Sequence, residues 1–294
     1  MSTVDLKEFN VPGRGRGLID VFRRRYLLKL LVRKTTSTRY RNSVLGWTWS
    51  YVRPLIRFMV YWLILGVVLG VNRGVDNFPL YMFAGFSAIT FFNDAFSKAT
   101  GSVVANKSLV KKIYLPRELF PVAAVIDAFV HFLPQVAILV IVAIFYGWAP
   151  GAWHIGAALL GLLLIALVAL GMGILFAGIN VRYRDAGNFA DVIQQVSLWL
   201  SPVLYPWQMI QDTLGDTLLY IYLCNPLTVA VELLHYGFWA PTVSPEDAAH
   251  PGGWTGFPPH FGIYIGVALA IGVALIFLGQ LTFRRFERTF AQDV

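Results

Sequence analysis

Thr217-Leu218-Leu219-Tyr220-Ile221-Tyr222-Leu223-Cys224-Asn225-Pro226-Leu227-Thr228-Val229-Ala230-Val231-Glu232-Leu233-Leu234-His235-Tyr236-Gly237-Phe238-Trp239 is the stretch on which the topology of this 294-residue chain turns. It is apolar over most of its length, but Asn225-Pro226 breaks it in the middle and Glu232 and His235 lie in its second half. At 1.5 Å per residue the two halves, Thr217 to Cys224 and Leu227 to Trp239, are each about 12 to 20 Å long, against a hydrocarbon core of roughly 30 Å. As a full span, the stretch would put Arg284, Arg285 and Arg288 outside and the cation-free segment from Ala240 to His260 inside. Both placements contradict the positive-inside rule. Two short helices dipping in from outside, a re-entrant hairpin over 217–239, satisfy it.

Working outward, the remaining apolar runs are Trp47 to Val71, Phe78 to Phe96, Leu119 to Tyr146, Trp153 to Ile179, Phe189 to Tyr205 and Phe261 to Phe283. Each is read as a helical span. With this assignment every one of the 24 Lys and Arg residues except Arg73 falls in a block on one side, and no basic residue occurs between Arg184 and Arg284. The chain is therefore expected to be an all-α integral membrane protein of the plasma membrane, with six transmembrane helices and both termini cytoplasmic. Its composition, 57% hydrophobic and 14% charged, excludes an ordinary soluble domain. The net charge of +8 is assigned to membrane lipids rather than nucleic acid, because the cations flank apolar runs. The first apolar run lies behind a long basic segment with no small-residue cleavage site, so the amino terminus is expected to stay on the chain.

Residues 1–17 are expected to form a flexible tail, 18–46 a cytoplasmic interface helix and lead-in, 47–283 the transmembrane domain and 284–294 a cytoplasmic tail. In Leu18 to Lys34 the cations Arg25, Lys29 and Arg33 recur one turn apart, with Leu18, Phe22, Tyr26 and Leu30 alongside as the apolar stripe of an interfacial helix. Gly66 with Gly70 and Gly262 with Gly266 have the spacing that lets membrane helices approach closely.

No phosphate loop, zinc-protease helix or nucleophile elbow occurs. The single cysteine, Cys224, and five scattered histidines indicate no metal site. The cytoplasmic surface instead reads as a docking face made of Arg25, Lys29, Arg33 and the loop carrying Lys107, Lys111, Lys112, Tyr114, Arg117 and Glu118. Its apolar side chains Leu109, Val110, Ile113 and Leu115 exceed what a basic loop resting on lipid head groups requires, although that simpler reading stays open. Arg39, Arg41, Arg53 and Arg57 surround the entry to the first span. Two roles are open for them: contact with a diphosphate, or snorkelling to the interface. Of the many aromatics, Tyr51, Tyr61, Trp199 and Tyr205 are assigned to a sugar-lined conduit and the rest to interface belts. Asp127 with His131, and Asp94 with Lys98, are each one turn apart and are expected to pair locally.

Several motifs together resemble the permease subunits of ABC-2 type exporters, above all the polysaccharide exporters. They are Arg39-Tyr40-Arg41-Asn42-Ser43-Val44-Leu45-Gly46-Trp47-Thr48-Trp49 with Arg53-Pro54-Leu55, Leu115-Pro116-Arg117-Glu118-Leu119-Phe120-Pro121, Asn180-Val181-Arg182-Tyr183-Arg184-Asp185, Ser201-Pro202 with Tyr205-Pro206, and Asn225-Pro226-Leu227 at the hairpin turn. The resemblance covers residues 20 to 288, with lipid-linked galactan exporters as the nearest likeness and O-antigen and teichoic acid exporters as wider relatives. Where those relatives carry a basic residue after the Asn-Pro turn, this chain has His235-Tyr236. The resemblance implies a homodimer of permeases with two copies of a cytoplasmic ABC ATPase that binds ATP and Mg, no cofactor in this chain, and a lipid-linked polysaccharide as cargo. Export of a drug or lipid, and a membrane-embedded polyprenyl-phosphate transferase, are the alternatives.

Overall fold

The computed structural model describes residues 17–38, 46–70, 74–112, 115–245, 252–287 and 290. Arg39, Arg41, Ile113, Tyr114, the tail 1–16 and the side chain of Tyr51 lie outside the described residues. The described chain is helical: α1 Leu18–Arg23, α2 Arg25–Thr38, α3 Trp49–Tyr61 with a wider π-turn continuation Trp62–Val68, α4 Phe78–Ala105, α5 Lys107–Lys112, α6 Leu119–Phe145, α7 Ala152–Arg182, α8 Asp185–Ser197, α9 Trp207–Leu223, α10 Pro226–Leu234 continuing as His235–Trp239, and α11 Phe261–Glu287. No strand occurs among the described residues, where the one β-bridge pairs Pro245 with Trp254.

α4 is the axis of the bundle. Its 28 residues, about 42 Å of helix, bury Phe78, Phe83, Phe91, Phe92 and Phe96 against α6, α7 and α10. α7 packs along both α4 and α11. Glycine makes the α7–α11 contact possible, since a Cβ on Gly171 would stand 2.8 Å from the backbone nitrogen of Ile276, and one on Gly279 would stand 2.7 Å from the Gly171 carbonyl. This is the close approach sought in the sequence, at other glycines. Gly262 and Gly266 face open space.

Among the described residues three helices are long and apolar enough to cross a bilayer: α6, α7 and the segment Phe261–Phe286 of α11. α9 and α10 are folded on each other at 99° and would add a fourth only if counted as one broken span. The other expected spans are less regular. α3 carries Arg53, Pro54 and Arg57, α8 has 13 residues before a turn, and α4 carries Asn93, Asp94, Ser97 and Lys98 in its second half.

The stretch on which the reading turned does form two helices joined at Asn225-Pro226. Its first arm starts at Trp207, ten residues earlier than the expected Thr217, and is broken at Gly215, whose φ of 79° suits glycine. Asn225 caps α10, its Oδ1 accepting from the Leu227 amide at 3.1 Å, and Pro226 supplies the fixed first-turn φ. The Asn225 amide donates to the Leu200 carbonyl at 2.9 Å and the Thr228 hydroxyl to the same oxygen at 3.1 Å, tying the hairpin to the end of the fifth segment. Asn225→Ala removes cap and tie together and should cost about 1–2 kcal/mol, read as a lower melting temperature of the purified protein. Asn225→Asp, which keeps the acceptor alone, should recover part of the loss.

A second core joins the short helices to the end of the bundle. Val21, Leu31, Val110, Leu119, Phe120, Ile174, Phe283 and Phe290 meet there. Of the expected interfacial stripe, Leu18 packs against this core and Tyr26 and Leu30 are exposed, while Val21 and Leu31 are buried in it. The chain turns at Arg24 between α1 and α2, so a single helical phase does not run through both.

Candidate functional site

Trp49, Arg53, Arg57 and Tyr61 are spaced four residues apart on α3, which places them in one slowly drifting stripe. The stripe borders two adjoining cavities. The first, about 280 Å³, lies between Trp49, Arg53 and Arg57 on one side and Asp94, His131 and Gln135 on the other. The second, about 330 Å³, is bounded by Arg57, Tyr61, Asn93, Gln194 and Trp199. Arg57, Thr90, Asn93 and Gln194 line both, so Arg57 stands at their junction. The Arg53 guanidinium lies over the Trp49 ring, 5.3 Å from its centroid.

Hydrogen bonds between helices fix the polar walls. Ser197 on α8 donates to Asn93 Oδ1 at 3.2 Å, Asn93 Nδ2 donates to the Gln194 carbonyl at 3.4 Å, and Gln135 Nε2 donates to Ser87 Oγ at 3.0 Å. The lining carboxylate of Asp94 is held by Lys98 at 2.7 Å, whereas Arg53 and Arg57 are exposed. The charge presented to an occupant is therefore positive. Arginine forks beside flat aromatic rings and amide side chains suit an anionic head joined to a polyhydroxylated body.

The structure brings Arg53, Arg57, Tyr61 and Trp199 to this site and sets Tyr205 apart. Tyr205 bonds through its hydroxyl to the Trp199 carbonyl, and its own carbonyl accepts from Tyr81 at 3.0 Å. It braces the turn after α8 and does not line either cavity.

At the wall of the first cavity the expected local pairs merge into one network. Lys98 reaches Asp94 at 2.7 Å and also Asp127 at 2.8 Å on α6. Asp127 accepts from Thr36 of α2 at 2.8 Å and lies 3.5 Å from His131, whose Nδ1 is 3.1 Å from Ser50 on α3. Two carboxylates that form no pair in the sequence thus share one ammonium, and four helices meet there. Asp127 is wholly buried, and the network ties these four helices together. A sequence signal existed: Ser87, Thr90, Asp94, Ser97 and Lys98 form a polar stripe at helical spacing along an otherwise apolar α4.

The expected docking face divides in two. Arg25, Lys29, Arg33, Lys107, Lys111 and Lys112 are exposed. Glu118 is buried and accepts from Gln280 Nε2 at 2.8 Å, and the Arg117 guanidinium lies 5.5 Å from the centroid of the Phe290 ring. Val110, Leu109 and Leu115 pack inward on the second core. The apolar content of this loop is thereby explained by self-packing, and the surface it offers is cationic. Among the described residues no group of three or more His, Cys, Asp or Glu is placed to hold a metal ion.

Comparison with known proteins gives one family and a consistent set of relatives. The model of the family described as ABC-2 type transporter matches residues 26–239. The chain is 25% identical over 267 residues to the O-antigen export system permease protein RfbA of Klebsiella pneumoniae, covering 90% of this chain and 94% of that protein. It is 27% identical over 200 residues to the protein of the same name from Myxococcus xanthus, covering 68% and 76%. It is also 25% identical over 231 residues to the capsule polysaccharide export inner-membrane protein CtrC of Neisseria meningitidis serogroup A, covering 76% and 83%.

Proposed function

The chain belongs to the ABC-2 type transporter family, and from that premise we propose that it is the permease subunit of an ATP-driven exporter of a lipid-linked polysaccharide, with cell-wall galactan as the leading candidate cargo. The observation that carries the proposal is the cavity pair itself, in which Arg53 and Arg57 stand between Trp49, Tyr61 and Trp199. The arginines take the diphosphate of the carrier and the aromatic faces take the first sugars. The names of the relatives, O-antigen and capsule export proteins, agree with that chemistry.

In this reading the permease works as a homodimer, and the polymer passes between two copies. The first and fifth segments, which also line the cavities, expose apolar side chains, Ile56, Met59, Val60 and Leu63 on one and Val192, Val196 and Leu200 on the other. A second copy or lipid covers them. The membrane is the plasma membrane, crossed six times with both termini inside and the α9–α10 hairpin dipping from outside. ATP and Mg are bound by two copies of a separate ATPase that docks on the cationic surface of α2 and α5. Purification in mild detergent should recover that ATPase with the permease, and lipid-linked glycan should raise its turnover. A nucleotide-indifferent protein purified alone would reject the proposal.

The docking surface has its own test. Lys107, Lys111 and Lys112 replaced together by alanine should weaken ATPase capture by roughly tenfold, since exposed ion pairs each contribute about 0.2–1 kcal/mol. Insertion and melting temperature should hold, because these three side chains leave the second core intact. Undiminished capture at moderate salt would move the docking site elsewhere.

A further inference from the structure

At the end of α4 opposite α2 and α5 lies a third, smaller cavity of about 120 Å³, lined by Tyr81, Trp207, Gln208, Glu232, Trp239, Trp254 and Thr255. We propose that it is a monosaccharide-binding subsite that holds one neutral sugar ring of the glycan at the exit side of the permease. The proposal rests on the export reading above for its setting, and on this pocket's own chemistry for its ligand.

The walls are fixed before any ligand arrives. Trp239 Nε1 donates to the Asp76 carbonyl at 2.6 Å, Tyr81 donates to the Pro202 carbonyl at 2.9 Å, and the Asp76 amide donates to the Gly252 carbonyl at 2.8 Å, stapling two outer loops together. Glu232 is 2% exposed; its Oε1 has no hydrogen-bond partner among the described residues, with His235 Nδ1 facing it at 3.6 Å. Gln208 uses its amide nitrogen on Thr255, which leaves its buried Oε1 without a partner. Buried acceptors without donors are costly and rare, so a pocket lined with two of them is made for a donor-rich guest. Sugar hydroxyls are such donors, and hydrogen bonds to a carboxylate are the stronger kind.

The aromatic geometry selects a sugar over an organic cation. A cage for a quaternary ammonium needs several ring faces turned inward. Here Tyr81 is stacked on His235 at 3.8 Å, and Trp239 meets Tyr81 and Trp254 edge to face at 5.1 and 5.8 Å. Rings packed on one another with polar groups among them suit a pyranose or furanose better than an onium ion. The volume is well below the roughly 300–1,000 Å³ of pockets for drug-sized ligands, which limits the guest to a single ring.

The test uses the full-length permease in lipid nanodiscs and saturation-transfer NMR with galactose, rhamnose and N-acetylglucosamine, and choline as the cationic comparison. At least one sugar should bind saturably, and Glu232→Gln and Trp254→Ala should each weaken it roughly tenfold. Trp254→Ala, in an outer loop, keeps the test informative if the buried Glu232 variant does not fold. Absence of sugar binding, sugar binding indifferent to Trp254→Ala, or binding of choline alone overturns the subsite. Glycan-stimulated ATPase turnover of the wild type, measured in parallel, separates the two readings. Turnover without sugar binding removes the subsite and leaves the exporter, and sugar binding without turnover does the reverse.

Discussion

Replacing Arg53 and Arg57 together by alanine will lower glycan-stimulated ATPase turnover and export by about two orders of magnitude, with little loss of stability. Hydrogen bonds to charged groups contribute about 1.5–3 kcal/mol each, and a diphosphate between two guanidinium forks loses at least two of them in this variant. The fold has little stake in either side chain. Both are exposed, and the one packing contact recorded for them, Arg53 over Trp49, is of a kind that contributes about 0.5–1 kcal/mol at exposed sites. Arg53→Lys/Arg57→Lys sharpens the result, since it keeps both charges and removes the bidentate geometry. An intermediate defect is expected. Interfacial snorkelling predicts the contrary, because either basic residue snorkels equally well and export would survive both substitutions.

The sequence could place these arginines because their spacing is local. Trp49, Arg53, Arg57 and Tyr61 form a stripe whatever the helix packs against. The Asn-Pro turn was legible for the same reason, being a cap and a first-turn proline whose geometry is set within four residues. Errors arose where a tertiary contact decided the outcome. The turn at Arg24 was not legible in the stripe from Leu18 to Leu30; it changes the helical phase, leaving Tyr26 exposed and Val21 buried. Val110 suggested a partner and found its own core, which α6, α7 and α11 build from residues far away in the chain. The first hairpin arm reaches back to Trp207 through Asp212, Gly215 and Asp216, residues that read as a loop. Glu232 and Trp254 gave no joint signal, because 22 positions of sequence separate two groups that line one cavity.

Lys98 is the clearest case of a residue whose neighbours in sequence concealed its role, and its substitution carries the largest expected effect on stability. Lys98→Met leaves Asp127, whose side chain is wholly buried, without the ammonium 2.8 Å away. Thr36 still donates to it and His131 stays 3.5 Å away, so what is lost is the ammonium alone. Breaking a buried pair from one side costs about 3–5 kcal/mol, most of it the desolvation of the charge left behind. Asp127→Leu should cost less, because Lys98 keeps Asp94 at 2.7 Å near a more exposed edge. The double variant Lys98→Met/Asp127→Leu removes both charges and should recover most of the loss, since an apolar replacement of a buried pair is often close to neutral. Melting curves of the four proteins in one detergent form a closed cycle. Equal additive losses in the two single variants, with no recovery in the double, would show that the pair does not act as a unit. Recovery of stability without recovery of export would assign the junction a second task. It joins Thr36 on the proposed docking helix to Ser50 on the helix that carries the arginines, so motion imposed on α2 would pass through it to the cavity.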